Sequence, residues 1–398
     1  MRTLNDKQPG GHMTARYEIF GTVSPGFEGA RGAFAENFAR EGDYRETGAG
    51  FAAFHRGRCV VDLWGGFADG ARSRIWARDS LCNVWSSTKG ISATAAAILV
   101  ERGVFGYDDK VASLWPEFTQ GGKENVTVAQ VLSHQAGLPG FVEPTSVADQ
   151  FDWTGCCAKL ARQKPVWEPG KATSYHAMTF GWLIGEIVRR ATGKSIGRVI
   201  QDEIAKPLDA ALFVGLPQSA DSRSVEMLAP KHMVDTSGLP LPDSARMALS
   251  NPQQDPLAPN LRAWRAAEIP AANGQASAMG LARLYAALAD GGTLDGVKLL
   301  SREGVARMAR PATAEGRQDM FLGFVDCWGM GVVLNTPGIY GSNPRAFGHS
   351  GWGGSFGCAD PDANVAIGYV CNQMGPELVG DPRTAGLCKA VFDCAARA

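Results

Sequence analysis

Ser86-Ser87-Thr88-Lys89 is the only place in this 398-residue chain where a lysine follows a serine by three positions. On a helix those positions share a face, so the hydroxyl and the amine can meet. The segment opens a predicted helix, whose positive end favours a neutral lysine and a nascent alkoxide. A serine nucleophile needs such help, because an unassisted hydroxyl is too weak an acid at neutral pH. Taken alone, the spacing arises by chance roughly once in a chain of this size, and Ser86 would serve equally well as a helix cap. Two further segments carry chemical potential. Tyr175 follows Trp167-Glu-Pro-Gly170 and directly precedes a second predicted helix; by itself it reads as a buried aromatic with one hydrogen bond. Gly348-His-Ser-Gly-Trp-Gly-Gly354 lies near a strand start. Glycine there lets a backbone N–H approach a ligand closely, or simply makes a tight strand edge.

Other patterns mislead. Gly353-Gly-Ser355-Phe-Gly357 fits the nucleophile elbow, but that arrangement requires a histidine later in the chain. The six histidines are His12, His55, His134, His176, His232 and His349, so none follows Ser355, which is therefore read as structural. Gly193-Lys-Ser195 is not a phosphate loop, because Val188 occupies the required upstream glycine position. No two histidines have metal-ligand spacing, so no metal site and no zinc hydrolase is expected. His134, at a helix end, is expected to hydrogen-bond locally. Asp108-Asp109 reads as a surface turn or helix start. Trp328 and Trp352 read as core residues or as walls of an acyl pocket.

The elements that must position these groups follow from pattern and punctuation. Phe51–Phe54 and Cys59–Trp64 flank a turn at His55–Arg58 and read as a hairpin. Ser86 to Gly103 reads as a helix with an alanine-rich apolar stretch and a glycine stop. Val126 to Leu132, Phe180 to Ala191 and Ala276 to Leu288 read as further helices. Residues 217–259 are rich in Ser, Pro, Asp and Gln and read as long surface loops with short strands. Ser350 to Asn372 reads as antiparallel strands joined at Asp360–Asn364, and Arg383 to Arg397 as a closing helix. Strands at both chain ends with helices between them indicate an α+β fold. One domain is expected from residues 14–104 and 265–398, with a mainly helical, loop-rich insertion at 105–264. Residues 1–13 are expected to be disordered or expression-derived, with no secretory signal.

Composition narrows the function. Hydrophobic residues make up 45% of the chain and charged residues 20%, an ordinary globular balance. The net charge of -1 argues against a nucleic-acid partner, since phosphate neutralisation supplies most of that affinity. No apolar run approaches the roughly 18 residues of a membrane span. Nine cysteines at irregular spacing, without a CxxC pair, read as buried reduced thiols in a cytoplasmic protein. The 49 glycines are scattered and indicate many tight turns.

In order, Ser86-x-x-Lys89, Tyr175 and the His349-Ser350-Gly351 strand resemble the serine β-lactamase and penicillin-binding-protein superfamily. More narrowly, the chain resembles the family VIII carboxylesterases. Val131–Leu138, Trp167–Gly170, Phe180–Gly185 and Pro270–Gly274 also match that group's habits, and the likeness runs from about Gly50 to the C-terminus. The resemblance implies a β-lactamase/transpeptidase-like fold, with an antiparallel sheet flanked by helices. It implies a cofactor-free serine carboxylesterase acting on small, short-chain, uncharged esters. Ser86 would carry the acyl group, Lys89 would tune its hydroxyl and Tyr175 would shuttle protons; either Lys89 or Tyr175 takes the first proton. Backbone N–H groups of Ser86 and Trp352 would form the oxyanion hole, and His349, Ser350, Gly351 and Trp352 would line the substrate site. Two departures from the lactamase pattern matter. Ala177 stands where Tyr-x-Asn has its amide, and His349 where Lys-Thr-Gly has its lysine. Both weaken a β-lactamase or DD-peptidase reading. A non-catalytic scaffold is disfavoured because Ser86, Lys89 and Tyr175 are all present.

Overall fold

A computed structural model describes residues 17–233 and 240–398; the expectation for residues 1–13 lies outside them. A seven-stranded sheet organises the chain. Its strands are β1 (Ile19–Val23), β2 (Gly48–His55), β3 (Arg58–Gly66), β4 (Val333–Leu334), β5 (Phe347–Ser350), β6 (Phe356–Asp360) and β7 (Val365–Cys371). Their spatial order is β1-β3-β2-β7-β6-β5-β4, antiparallel throughout. The β2–β3 hairpin turns at Arg56 and Gly57, with φ of 49° and 72°, the left-handed pair that a two-residue hairpin turn demands. β2 and β7 lie mid-sheet and every residue of both is buried, as central strands covered on both faces must be.

Two helices from opposite chain ends, α1 (Glu28–Ala39) and α7 (Pro382–Ala395), pack together over one face through Phe34, Phe51, Leu387 and Val391. Across the other face runs α6 (Ala278–Ala289). It approaches closely because β7 offers Gly368, where a Cβ would come 2.4 Å from the Ala278 carbonyl oxygen. α2 (Ser87–Glu101) packs against β5 and β6 and is buried from Ser87 to Val100. A hydrophobic side-chain network runs continuously from the sheet through Ile91, Ile98 and Leu99 into α4 (Thr179–Thr192). α3 (Val128–Leu132) starts with a reciprocal cap: Thr127 accepts from the Gln130 N–H, and Gln130 accepts from the Thr127 N–H.

The expectation of loops and short strands over residues 217–259 is corrected at Asp243–Ser250, which forms helix α5. Prolines at 240, 242 and 252 bracket it, and eight residues are too few to establish a period. All nine cysteines are unpaired, and eight are buried as expected; Cys59, on the β3 strand, is exposed.

Candidate active site

Ser86 stands where a short strand turns into α2. The preceding Trp85 has φ 43°, a conformation that costs a bulky residue energy and presents Ser86 at the tip of the turn. The Ser86 hydroxyl makes no capping bond to the helix. It lies 2.6 Å from the Tyr175 hydroxyl, which donates to it, and 3.3 Å from Lys89 Nζ. Ser86 alone of the three keeps appreciable exposure. Lys89 is fully buried, and its Nζ also donates to the Ala177 and Ala271 carbonyls at 2.7 and 3.0 Å. Burial holds its pKa well below the usual lysine value. The same burial pushes the Tyr175 phenol up, against the opposing effect of its bond to Ser86. Burial thus favours the neutral amine and the neutral phenol on either side of the serine.

Tyr175 is fixed from behind. Its ring stacks on Trp328 at 5.6 Å and 8°, and the His134 ring meets it at 5.1 Å. Trp328 is held by Asp319, whose Oδ2 accepts from the indole N–H at 2.8 Å. Asp319 Oδ1 accepts from the backbone N–H groups of Tyr175, Phe321 and Leu322. Asp319 was not singled out in the sequence, where nothing in its Gln-Asp-Met surroundings marks a buried carboxylate. Of the two readings of Trp328, core residue or acyl-pocket wall, its 1% exposure fits the core one. The expectation of a local bond for His134 is also corrected. Its Nδ1 accepts from the backbone N–H of His176 at 3.1 Å, 42 residues away.

β5 closes the other side. His349 Nδ1 meets the Ser350 carbonyl oxygen at 2.9 Å, so that nitrogen carries the proton and Nε2 keeps a lone pair. Burial, with Lys89 nearby, lowers its pKa to about 3, so His349 is neutral at pH 7. At Gly351 a Cβ would come 2.2 Å from the Val84 carbonyl oxygen, which shows why the strand can dock against the turn carrying Ser86. Ser355 fastens that contact, its buried hydroxyl donating to the Val84 carbonyl at 2.9 Å. The Trp352 ring meets Trp85 edge-on at 5.0 Å. Among the described residues the backbone N–H groups of Ser86 and Trp352 donate to no backbone carbonyl. The cavity beside Ser86, Tyr175, His349 and Ser350 has a volume of about 20 Å³, room for roughly one water. Asp108 and Asp109 lie away from it in a turn, where Asp109 accepts from the Gly106 N–H.

A serine, a buried lysine and a tyrosine meeting at the edge of a helix-covered antiparallel sheet define a β-lactamase-like serine hydrolase. The chain belongs to the Beta-lactamase family, whose profile matches residues 34–388. It is similar to a crystal structure of a family VIII carboxylesterase, with 45% identity and a TM-score of 0.88 over 95% of this chain and 100% of that one. A penicillin-binding protein homologue from Caulobacter crescentus is 41% identical, also with a TM-score of 0.88, over 95% of this chain and 100% of its own. Esterase/beta-lactamase LipL of Mycobacterium tuberculosis is 36% identical over 376 residues, 91% of this chain and 84% of that protein.

Proposed function

We propose that this protein is a serine carboxylesterase that hydrolyses short-chain, uncharged esters through an acyl-enzyme on Ser86. The observation that carries the reading is the hydrogen-bonded line Tyr175–Ser86–Lys89 with a fully buried lysine, whose burial favours the neutral amine. A neutral amine has two N–H groups for the Ala177 and Ala271 carbonyls, which leaves its lone pair for the Ser86 proton. Lys89 is then the first base, and Tyr175 is the acid that protonates the departing alkoxide. The proton held by Lys89 afterwards restores Tyr175. Water deacylates the enzyme by the reverse route, losing a proton to the pair while Ser86 regains one. The free N–H groups of Ser86 and Trp352 receive the developing oxyanion.

A β-lactamase or DD-peptidase reading has support in two of the relatives above. Against it, Ala177 offers no side-chain amide, and the neutral His349 offers no charge for a substrate carboxylate. The missing charge-assisted contact is worth about 1.5–3 kcal/mol and the missing neutral amide bond about 0.5–1.5 kcal/mol. Measuring kcat/KM for p-nitrophenyl butyrate and for nitrocefin on one preparation decides between the readings. The ester value is expected to be far higher; a nitrocefin value equal to it or above it restores the lactamase reading. We assign a small-molecule substrate, no cofactor and no nucleic-acid partner. The nine unpaired thiols support a reducing, cytoplasmic location, and no helix among the described residues is long and apolar enough to cross a membrane. The division into a two-ended domain and an insertion at 105–264 is kept as part of this proposal, supported by a sheet whose strands all lie outside 105–264.

A further inference from the structure

Next to the small cavity over Ser86 lies a much larger one, of about 580 Å³, between the 338–342 loop and α7. Tyr340 and Ser350 line both. Between the two spaces the Tyr340 hydroxyl and Ser350 Oγ are hydrogen-bonded at 3.2 Å, and Tyr340 is only 1% exposed. The partition is held from its own loop. Asn335 Oδ1 accepts from the Tyr340 backbone N–H, and Asn335 Nδ2 donates to the Gly341 and Asn343 carbonyls, all at 2.8 Å. Gly341 lets the loop lie against α7, since a Cβ there would come 2.7 Å from the Phe392 ring. Beyond the partition Ile339, Phe356, Ala385 and Phe392 supply an apolar wall, and Asp381, Thr384, Lys389 and Asp393 line the polar remainder.

We propose that Tyr340 is a specificity-determining residue: it seals a preformed compartment with an apolar wall from the nucleophile and so restricts the alcohol half of the ester to small groups. The inference rests on the esterase reading above. The side of the ester follows from proton transfer. Tyr175 must face the leaving oxygen to protonate it, and Tyr175 lines the same small cavity as Tyr340 and Ser350. Trp352, whose N–H faces the oxyanion in this reading, does not line it. An alkyl alcohol leaving past Tyr175 therefore points toward the partition. Aryl esters such as p-nitrophenyl esters escape this constraint, because a phenolate leaves without a proton.

The test uses unactivated alkyl esters in two series, acetates of methyl, butyl and benzyl alcohol, and ethyl esters from acetate to hexanoate. The enzyme as it stands is expected to lose kcat/KM as the alcohol grows. In Tyr340→Ala the benzyl-to-methyl ratio should rise by about tenfold or more, the usual worth of a relieved pocket wall. The acyl-length profile should stay unchanged. Tyr340→Phe keeps the ring and should keep the original ranking. Adding Ala385→Phe to Tyr340→Ala refills the compartment and should cancel the gain. Tyr340→Leu, with an apolar side chain in the same seat, gives the same direction of change should the alanine variant not fold. Fluorophosphonate labelling of Ser86 in each variant separates the two claims. Labelled, folded variants with an unchanged alcohol ranking, or with a changed acyl ranking instead, overturn the role of Tyr340 while the esterase reading stands. Failure of the unaltered protein to turn over any ester removes both.

Discussion

Ser86 receives a hydrogen bond from Tyr175 and faces a lysine with no carboxylate partner among the described residues, so its reactivity depends on two groups whose uncharged forms burial favours. Replacing Ser86 with Ala should cut ester turnover by about a thousandfold or more. Ser355→Ala should retain substantial activity, since that hydroxyl braces Val84 and does not face substrate. If Ser355→Ala in a folded protein abolishes turnover while Ser86→Ala does not, the nucleophile is misassigned. Tyr175→Phe keeps the stack on Trp328 but removes the acid, and it should cost about a hundredfold or more with alkyl esters. With p-nitrophenyl esters the loss should be smaller, because that leaving group needs no proton. Equal losses on both substrates would take Tyr175 out of the proton path. Because Lys89 acts as a base only when neutral, kcat/KM should fall as pH drops through its depressed pKa. A pH–rate profile reads this directly.

At the scale of elements, the nucleophile turn and β5 must dock without an intervening side chain. Gly351→Ala would drive a methyl group into the Val84 carbonyl, 2.2 Å away, and backbone on both sides leaves little room to relax. We expect a loss of about 1–3 kcal/mol in stability and a fall in kcat from displacement of the Trp352 N–H, measured by denaturant unfolding alongside steady-state kinetics. An unchanged kcat would separate the Trp352 turn from oxyanion binding. The sequence made this docking partly legible: the glycines of 348–354 announce close backbone approach, Ser86 and Lys89 meet as their spacing implied, and Tyr175 joins them as the family resemblance implied. The β2–β3 hairpin and helices α2, α4, α6 and α7 also follow from period and punctuation. Helix α1 does not, because Gly29 and Gly32 weaken its local propensity and its helical form rests on Ala30, Phe34 and Phe38 packed under the sheet. Asp319 was illegible for another reason. Its importance lies in three backbone N–H groups and one indole, none of which leaves a spacing in the sequence.

Across the whole molecule, the oxyanion turn is tied to the C-terminal helix by a buried ionic cluster. Arg383, at the start of α7, donates to the Gly353 carbonyl at 2.7 Å and to Asp381 at 2.6 Å. It also reaches Glu46 Oε1 at 3.2 Å, and Tyr369 donates to the same oxygen. One cation thus faces two carboxyl groups. Asp381 suffices to neutralise it, and Glu46, fully buried with Oε2 unpartnered, is the surplus acid. Burial raises the Glu46 pKa from 4.5 to about 8, more than Arg383 lowers it. Between those two values the folded state holds a proton that the unfolded chain has released, so this group's contribution to stability declines as pH rises from about 4.5 to about 8. The decline is bounded at about 1.4 kcal/mol per pH unit. Other groups act in the opposite sense. His176 and His349, lowered by burial to about 4 and about 3, and His134, also lowered, stay neutral when folded, and their contribution is lost as pH falls below the ordinary histidine value. Lys89 likewise favours the folded state as pH rises. The Glu46 contribution must therefore be read as a difference between proteins. Glu46→Gln mimics the protonated acid, so its stability relative to the unaltered protein should increase steadily from pH 4.5 to 8 and change little below 4.5. Paired urea melts at half-unit pH steps measure this, and a difference that stays flat across the window would mean that Glu46 is ionised in the fold and is held by Arg383.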